Sequence, residues 1–492
     1  MKHRDNYEFL TGAPIRRVIP TLALPSIISM LVTSFYNLAD TYFVSQINTQ
    51  STAAVGVVFT IMSIFQAFGF FFGHGSGNFI SRALGAKEKD SPAIMAATGF
   101  GYGVGFGILM TVIGLLFLTP ISRSLGSTAT ILPYTEQYLS YILLGAPFII
   151  GSLTLNLQMR FQGNAAYSMY GIMSGAVLNI ALDPLLIFTC GLGIRGAAIA
   201  TVVSQMVSFF ILLWLTAHCD TQRINLRRFS FSPTYLKAIF SGGTPSLTRQ
   251  GLGSVASLTM NIVASGFGDA AIAAMTVVIR VSFIILAAVI GLGHGYQPLC
   301  GFCYGAKLYK RVIDGFWFTV KCGTIFLTIL AVLGFIFAEE VVTQFRNDPD
   351  VIEIGSAALR WQLISLPFTP FIMMSNMMMQ TINRPVAANL LAASRRGLFY
   401  LPALLILPYL FGIFGLEICQ TVSDTLSLAL AIPVTFFEFR RMKHTLNQSH
   451  QHLRDAEADV GACGIAEKTD GDTRSDDCAV MERTANDRSE RR

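Results

Sequence analysis

The sequence predicts an all-α polytopic membrane protein of twelve transmembrane helices, arranged as two six-helix lobes related by a pseudo-twofold axis along the membrane normal. Three observations lead there. The 492 residues are 52% hydrophobic and only 13% charged, about half the charge of an ordinary soluble domain, and the mean hydropathy is +0.55. Apolar runs of about 20 residues recur along the chain, each long enough for a ~30 Å hydrocarbon core. The stretch GHGSGNFISRALGAK at 73–87 returns as GHGYQPLCGFCYGAK at 293–307, an offset of 220 residues.

The elements follow in order. A polar segment, 1–14, lacks the apolar stretch of a signal peptide, so the first span is expected to stay as an anchor. Spans are predicted near 15–44, 53–79, 93–119, 134–160, 166–190 and 193–216, giving a first lobe over 15–216. A polar inter-lobe linker, 217–235, reads as a hinge or tether. The second lobe, 236–438, has spans near 236–265, 270–300, 312–337, 356–381, 389–411 and 415–438. The seventh, with Arg249 and four glycines, is too polar to be identified by hydropathy alone, and the repeat supplies it. The tail, 439–492, is polar, mixed in charge and without apolar periodicity, and is expected to be disordered, with Cys463 and Cys478 as reduced thiols.

The repeat holds its register: Pro25-Ser26 falls over Pro245-Ser246, Ala53-Ala54 over Ala273-Ala274, Val57-Val58 over Val277-Val278 and Pro147 over Pro367. With twelve spans, Arg16, Arg17, Arg82, Lys87, Arg227, Arg228, Lys307, Lys310, Arg440 and Arg441 all fall on one side, which the positive-inside bias makes cytoplasmic, termini included. Both GAK loops are then on the same face, so the halves run in parallel with six spans each. The net charge of +6 reflects this topology rather than a nucleic-acid partner. His74 and His294 of the repeated motif read as packed or interfacial residues, and Cys300 and Cys303 as small packing residues, since no second Cys or His pair stands at zinc spacing.

Chemistry is sought where the halves differ. In the first span Thr33, Tyr36, Asn37 and Asp40 share one helix face, whereas the positions 220 later are Gly253, Ala256, Ser257 and Met260. In the fifth, Asn179 and Asp183 lie four apart and are matched in the second half by Phe399 and Ala403. Pro184 cannot donate to the Ile180 carbonyl, so a carboxylate, an amide and a freed carbonyl meet at one level. Intramembrane acids are costly and are functional by default, and these two have no evident basic partner in their spans. They outline an ion or proton site. Arg395 and Arg396 read as structural, and Glu417 and Asp424 are left without a role.

The order and spacing of these motifs resemble the multidrug and toxic compound extrusion (MATE) family, in its prokaryotic branch, over about residues 10–445. The likeness is carried by PSIISMLVTSFYNLADTYFVSQI, AAVGV, SRALGAK, LNIALDPLLIF, GIRGAAIATVVSQ and the second GAK loop. The resemblance implies a V-shaped pair of lobes in a bacterial or archaeal inner membrane, exporting organic cations or drugs by alternating access as a monomer. The driving ion would be H⁺ or Na⁺, with no other cofactor. It implies a cation-coupling site at Asp40, Asn179, Asp183 and Thr201, which would also be the place for a Na⁺ ion. Tyr36 and Asn156 match nearby polar positions of the site or substrate pathway, and Pro25 a proline associated with bending. Some branches instead place acids in spans seven and ten, where this chain has Asn261, Ser375 and Asn376, which speaks against a second-lobe mechanism. A lipid-linked oligosaccharide flippase of the same superfamily is the alternative. A membrane enzyme is disfavoured by the lack of HExxH, GxSxG or a clustered His set.

Overall fold

The computed structural model describes residues 6–218 and 223–469, without the side chains of Asn37, Leu38, 449, 450 and 452–469. After a short helix α1 (Asn6–Gly12), the first six spans are α2 (Ile15–Ser45), α3 (Thr49–Gly85), α4 (Ser91–Leu116) with its short continuation α5 (Leu118–Ser124), α6 (Leu132–Phe161), α7 (Ala165–Pro184) and α8 (Ile194–His218). The second six are α9 (Pro233–Ser265), α10 (Asp269–Gly305), α11 (Tyr309–Ile336), α13 (Pro349–Ser365) joined to α14 (Thr369–Thr381), α15 (Pro385–Ala393) joined to α16 (Tyr400–Phe411), and α17 (Ile413–Thr469); the amphipathic α12 (Ala338–Phe345) lies between α11 and α13. Twelve spans in two lobes result, and the protein is multi-pass.

Ten of the described helices are long and apolar enough to cross a membrane by themselves. The other two spans fail for different reasons. The seventh, α9, carries Lys237, Arg249 and its glycines among its apolar residues. The tenth is cut by a single 3₁₀ turn at Leu366–Phe368, where Pro367 removes a backbone donor. Proline also explains the end of α7. Pro184 closes the α-helix and a π turn, Leu185–Thr189, follows, with Cys190 N–H bonded to Leu185 O at 2.9 Å.

The two lobes repeat each other down to single hydrogen bonds. Asn156 Nδ2 donates to Ser168 O at 2.8 Å, and Asn376 Nδ2, 220 residues on, donates to Ala388 O at 2.7 Å. Lys87 (φ 58°) and Lys307 (φ 61°) both close their GAK loops in the left-handed conformation. The two loops also press on each other. A Cβ on Gly85 would lie 2.2 Å from Phe302 O, and one on Gly305 would lie 2.1 Å from Arg82 O. Only glycine permits this reciprocal approach of backbones, which accounts for the duplicated motif.

The contacts between lobes gather toward this end. Gly291 and Gly295 of α10 sit against Ile27 and Ala23 of α2, and Gly75 of α3 sits against Ile239 of α9. Farther along, Gly56 of α3 and Gly251 and Gly253 of α9 have open space beside them. The lobes therefore meet at the GAK end and separate toward the other, with a cleft between them. Helix α1 lies across the closed end: Asn6 Nδ2 donates to Gln162 O at 3.1 Å in the first lobe, while Leu10 O accepts from Arg311 Nε at 3.0 Å in the second. The linker from 223 lies on α4, with Ser230 N–H donating to Thr98 Oγ1 at 3.1 Å and Phe229 against Tyr102 at 5.1 Å.

Beyond residue 438 the backbone continues α17 as helix to Thr469. The first turn of this continuation is still packed, with Phe439 and Met442 buried, and Ala, Glu, Leu and Arg farther on are good helix formers that extend a helix already nucleated upstream. Residues 470–492, with Cys478, lie outside the described residues.

Candidate functional site

Three helices of the first lobe bring the sequence-identified polar residues together. Asp40 and Tyr36 come from α2, Asn179 and Asp183 from the last turns of α7, and Thr201 from α8. Asp40 lies within electrostatic range of both Asp183 and Tyr36. Asn179 Nδ2 approaches Asp183 Oδ1 at 3.4 Å. Asp183 is fully enclosed, and Asn179 and Thr201 are almost so.

The site's electrostatic character lies in what these atoms lack. Asp40 Oδ1, Asp183 Oδ2 and Asn179 Oδ1 are all buried without a hydrogen-bond partner, and neither carboxylate has an ion-pair partner among the described residues. Buried polar atoms are normally paired, and an unpaired buried charge is strongly unfavourable. An oxygen-rich pocket of this kind is completed by a proton on a carboxylate or by a hard cation, which takes oxygen ligands.

Two further groups belong here that sequence reasoning missed. Tyr138 of α6 is fully buried within range of Asp40, Asp183, Tyr36 and Thr201. Ser204, one turn from Thr201, buries an Oγ without a partner. Tyr138 sits in an ordinary-looking apolar span, and only the packing of α6 on α8 turns it toward the acids.

Other expected residues are elsewhere. Asn156 does not join the acids: its Oδ1 accepts from Arg160 at 3.0 Å, and Arg160 in turn reaches His294 Nδ1 of the other lobe at 2.7 Å. Thr33 turns back to Ser29 O at 2.8 Å, and the Asn37 side chain lies outside the described residues. Pro25 lies inside α2, which runs through it as one helix.

The second lobe treats its buried acid in the opposite way. Asp424 receives Arg395 Nε at 2.7 Å, Gln420 Nε2 at 2.8 Å and Ser365 Oγ at 3.2 Å. This carboxylate, unassigned from sequence, is a satisfied structural ion pair. Among the described residues, the fully buried carboxylate of the first lobe, Asp183, lacks a base, whereas Asp424 of the second has one.

A membrane transporter of two pseudo-symmetric six-helix lobes with a one-sided acidic site is the class these features define. The pattern of the MatE family matches residues 25–185 and 245–426, one stretch in each lobe, and the chain belongs to that family. The multidrug export protein MepA of Staphylococcus aureus (strain MSSA476) is 26% identical over 440 residues, 89% of this chain and 96% of its own. A MATE crystal structure in the straight conformation superposes with a TM-score of 0.85 at 27% identity, covering 90% of this chain and 100% of that one. A transporter of the MOP superfamily from Pyrococcus furiosus, described as having a binding pocket of reverse polarity, gives 0.84 at 27% identity, again with 90% and 100% covered.

Proposed function

We propose that the protein exports organic, mostly cationic or amphipathic compounds across a bacterial or archaeal inner membrane, as a monomer, by antiport with H⁺ or Na⁺. The observation that carries this reading is the pair Asp40 and Asp183 in one lobe, the first half-buried with Oδ1 enclosed and the second fully buried, without a basic partner among the described residues. Export of drugs is supported by the likeness to multidrug export proteins along nearly the whole chain.

In this mechanism the GAK end, rich in Lys and Arg, and both termini face the cytoplasm, so the present form opens outward. A proton or Na⁺ entering the cleft binds between Asp40 and Asp183. Asn179, Thr201 and Ser204 supply neutral oxygens, and Tyr138 a hydroxyl. Neutralisation removes the repulsion between the two carboxylates and lets α2 settle against α7 and α8. Pro25 has no N–H for the Thr21 carbonyl, so α2 is weakest there and bends there. The ion drives export only because it binds the two conformations of α2 unequally. Compound leaves outward as the ion binds, and ion release inward resets the site.

The flippase alternative draws support from one observation, the arginines Arg160 and Arg249 near the lobe interface. It does not explain the unpaired pair Asp40 and Asp183. The test is efflux of a fluorescent organic cation from cells expressing the wild type or Asp40→Asn at equal membrane levels. Export by the wild type alone is expected; no export by either protein contradicts the drug-export reading.

A further inference from the structure

A second cluster of buried polar groups, on the closed side of the cleft, has the opposite sign. His74 of α3 and His294 of α10, the two histidines of the repeated motif, face each other with ring centroids 6.0 Å apart. Arg160 of α6 and Arg249 of α9 lie within electrostatic range of both rings. Arg160 donates to His294 Nδ1 and to Asn156 Oδ1, and Arg249 donates to Asn376 Oδ1 at 3.0 Å. All these acceptors are neutral, and neither arginine has a carboxylate partner among the described residues.

Two donors are also left over. Arg160, 3% exposed, buries its Nε without a partner, while His74, 1% exposed, gives its Nδ1–H to Phe70 O at 3.0 Å and keeps Nε2 as an acceptor. Asn78, one turn along α3 from His74, is fully buried with both amide atoms unpartnered. Arg249 is half-buried, and Gly253, one turn farther along α9, has open space beside it. The cluster therefore has an approach from the cleft. Two guanidinium groups held only by neutral acceptors, one of them buried, carry positive charge that no carboxylate among the described residues offsets, and an anion is the ligand that offsets it.

We propose that Arg160 and Arg249, set beside the His74–His294 pair, form an anion-binding site between the lobes that takes an oxyanion, a carboxylate or phosphate group. The planar guanidinium fork matches two oxygens of such a group, and Asn78 offers an amide N–H beside it. Because each lobe contributes one arginine and one histidine, a bound oxyanion ties the lobes together at the closed end. The group arrives either as a free inorganic anion or as the acidic part of a transported amphiphile. This site stands whether or not Asp40 and Asp183 couple export to an ion.

The test is binding of inorganic phosphate and, separately, of benzoate to the purified full-length protein, followed by tryptophan fluorescence and thermal unfolding at fixed pH and ionic strength. The wild type is expected to bind saturably. Arg249→Gln and Arg160→Gln should weaken binding roughly ten- to hundredfold, the range for hydrogen bonds to charged groups, with Arg249→Lys between them and the wild type. Asp40→Asn should bind as the wild type does even where it no longer exports, which separates failure of this site from failure of the coupling site. Saturation by phosphate alone identifies a free inorganic anion; saturation and transport of benzoate identify an acidic cargo group. Should Arg160→Gln fail to fold, Arg249→Gln decides. No saturable binding by the wild type, or undiminished binding by Arg249→Gln, overturns the proposal.

Discussion

Asp183 and Asp424 are both buried carboxylates in the same protein, and they predict opposite responses to the same substitution. Asp424 answers to Arg395, so Asp424→Asn leaves a guanidinium stranded in the second lobe. Breaking a buried pair in this way costs about 3–5 kcal/mol, and a clear fall in thermal stability is expected in detergent. Asp183→Asn removes a charge that no base offsets, and its thermal stability should equal or exceed that of the wild type. A thermal unfolding series on the two variants checks the contrast, and equal destabilisation of both would contradict it. At this scale the sequence was informative about the acids and silent about their surroundings. Asp40, Asn179 and Asp183 stood out because the second half lacks them. Tyr138, Ser204 and Arg160 did not, because a hydroxyl or one arginine in an apolar span has no signature until a neighbouring helix is placed against it. Asn156, matched to a nearby polar position, has its Oδ1 held by Arg160 about five turns along α6 from Tyr138.

Among the elements, α3 and α10 carry the closing surface. Gly85 and Gly305 each press on backbone of the opposite lobe, where no side chain can move aside. Gly85→Val is therefore expected to abolish export at a normal membrane level, because the lobes cannot meet. Gly251→Ala, placed in open space, should export at nearly the wild-type rate; an efflux assay on the two variants distinguishes them. Helix α1 adds a strap across the same end. Cys303 is buried, with its Sγ 3.6 Å from Leu10 O. Removing residues 1–12 should speed labelling of Cys303 by a maleimide, and an unchanged labelling rate would show that α1 seals nothing. Element positions were largely legible because a span's length is set by the bilayer rather than by its neighbours. The 3₁₀ break at Pro367 and the π turn after Pro184 were not, since hydropathy averages over the backbone changes that proline causes. In the tail, likewise, the lack of an apolar stripe says nothing about whether the backbone coils, and α17 runs on to Thr469.

At the scale of the whole molecule, two lobes built on one plan carry unlike charges in unlike places. The first lobe holds Asp40 and Asp183 without a base among the described residues, the second pairs Asp424 with Arg395, and a cationic cluster occupies the junction between them. Symmetry supplies two lobes that can rock about a shared end, and departure from symmetry supplies sites that respond to an ion in one lobe only. The central claim is that the unpaired acids of the first lobe convert ion entry into export. The most direct measurement is transport of an organic cation by the purified protein in liposomes under an imposed H⁺ or Na⁺ gradient, for the wild type, Asp40→Asn and Asp183→Asn. Acceleration of the wild type by one of the gradients, with neither variant responding, is the predicted result. Gradient-driven transport at the wild-type rate by either variant would contradict the account.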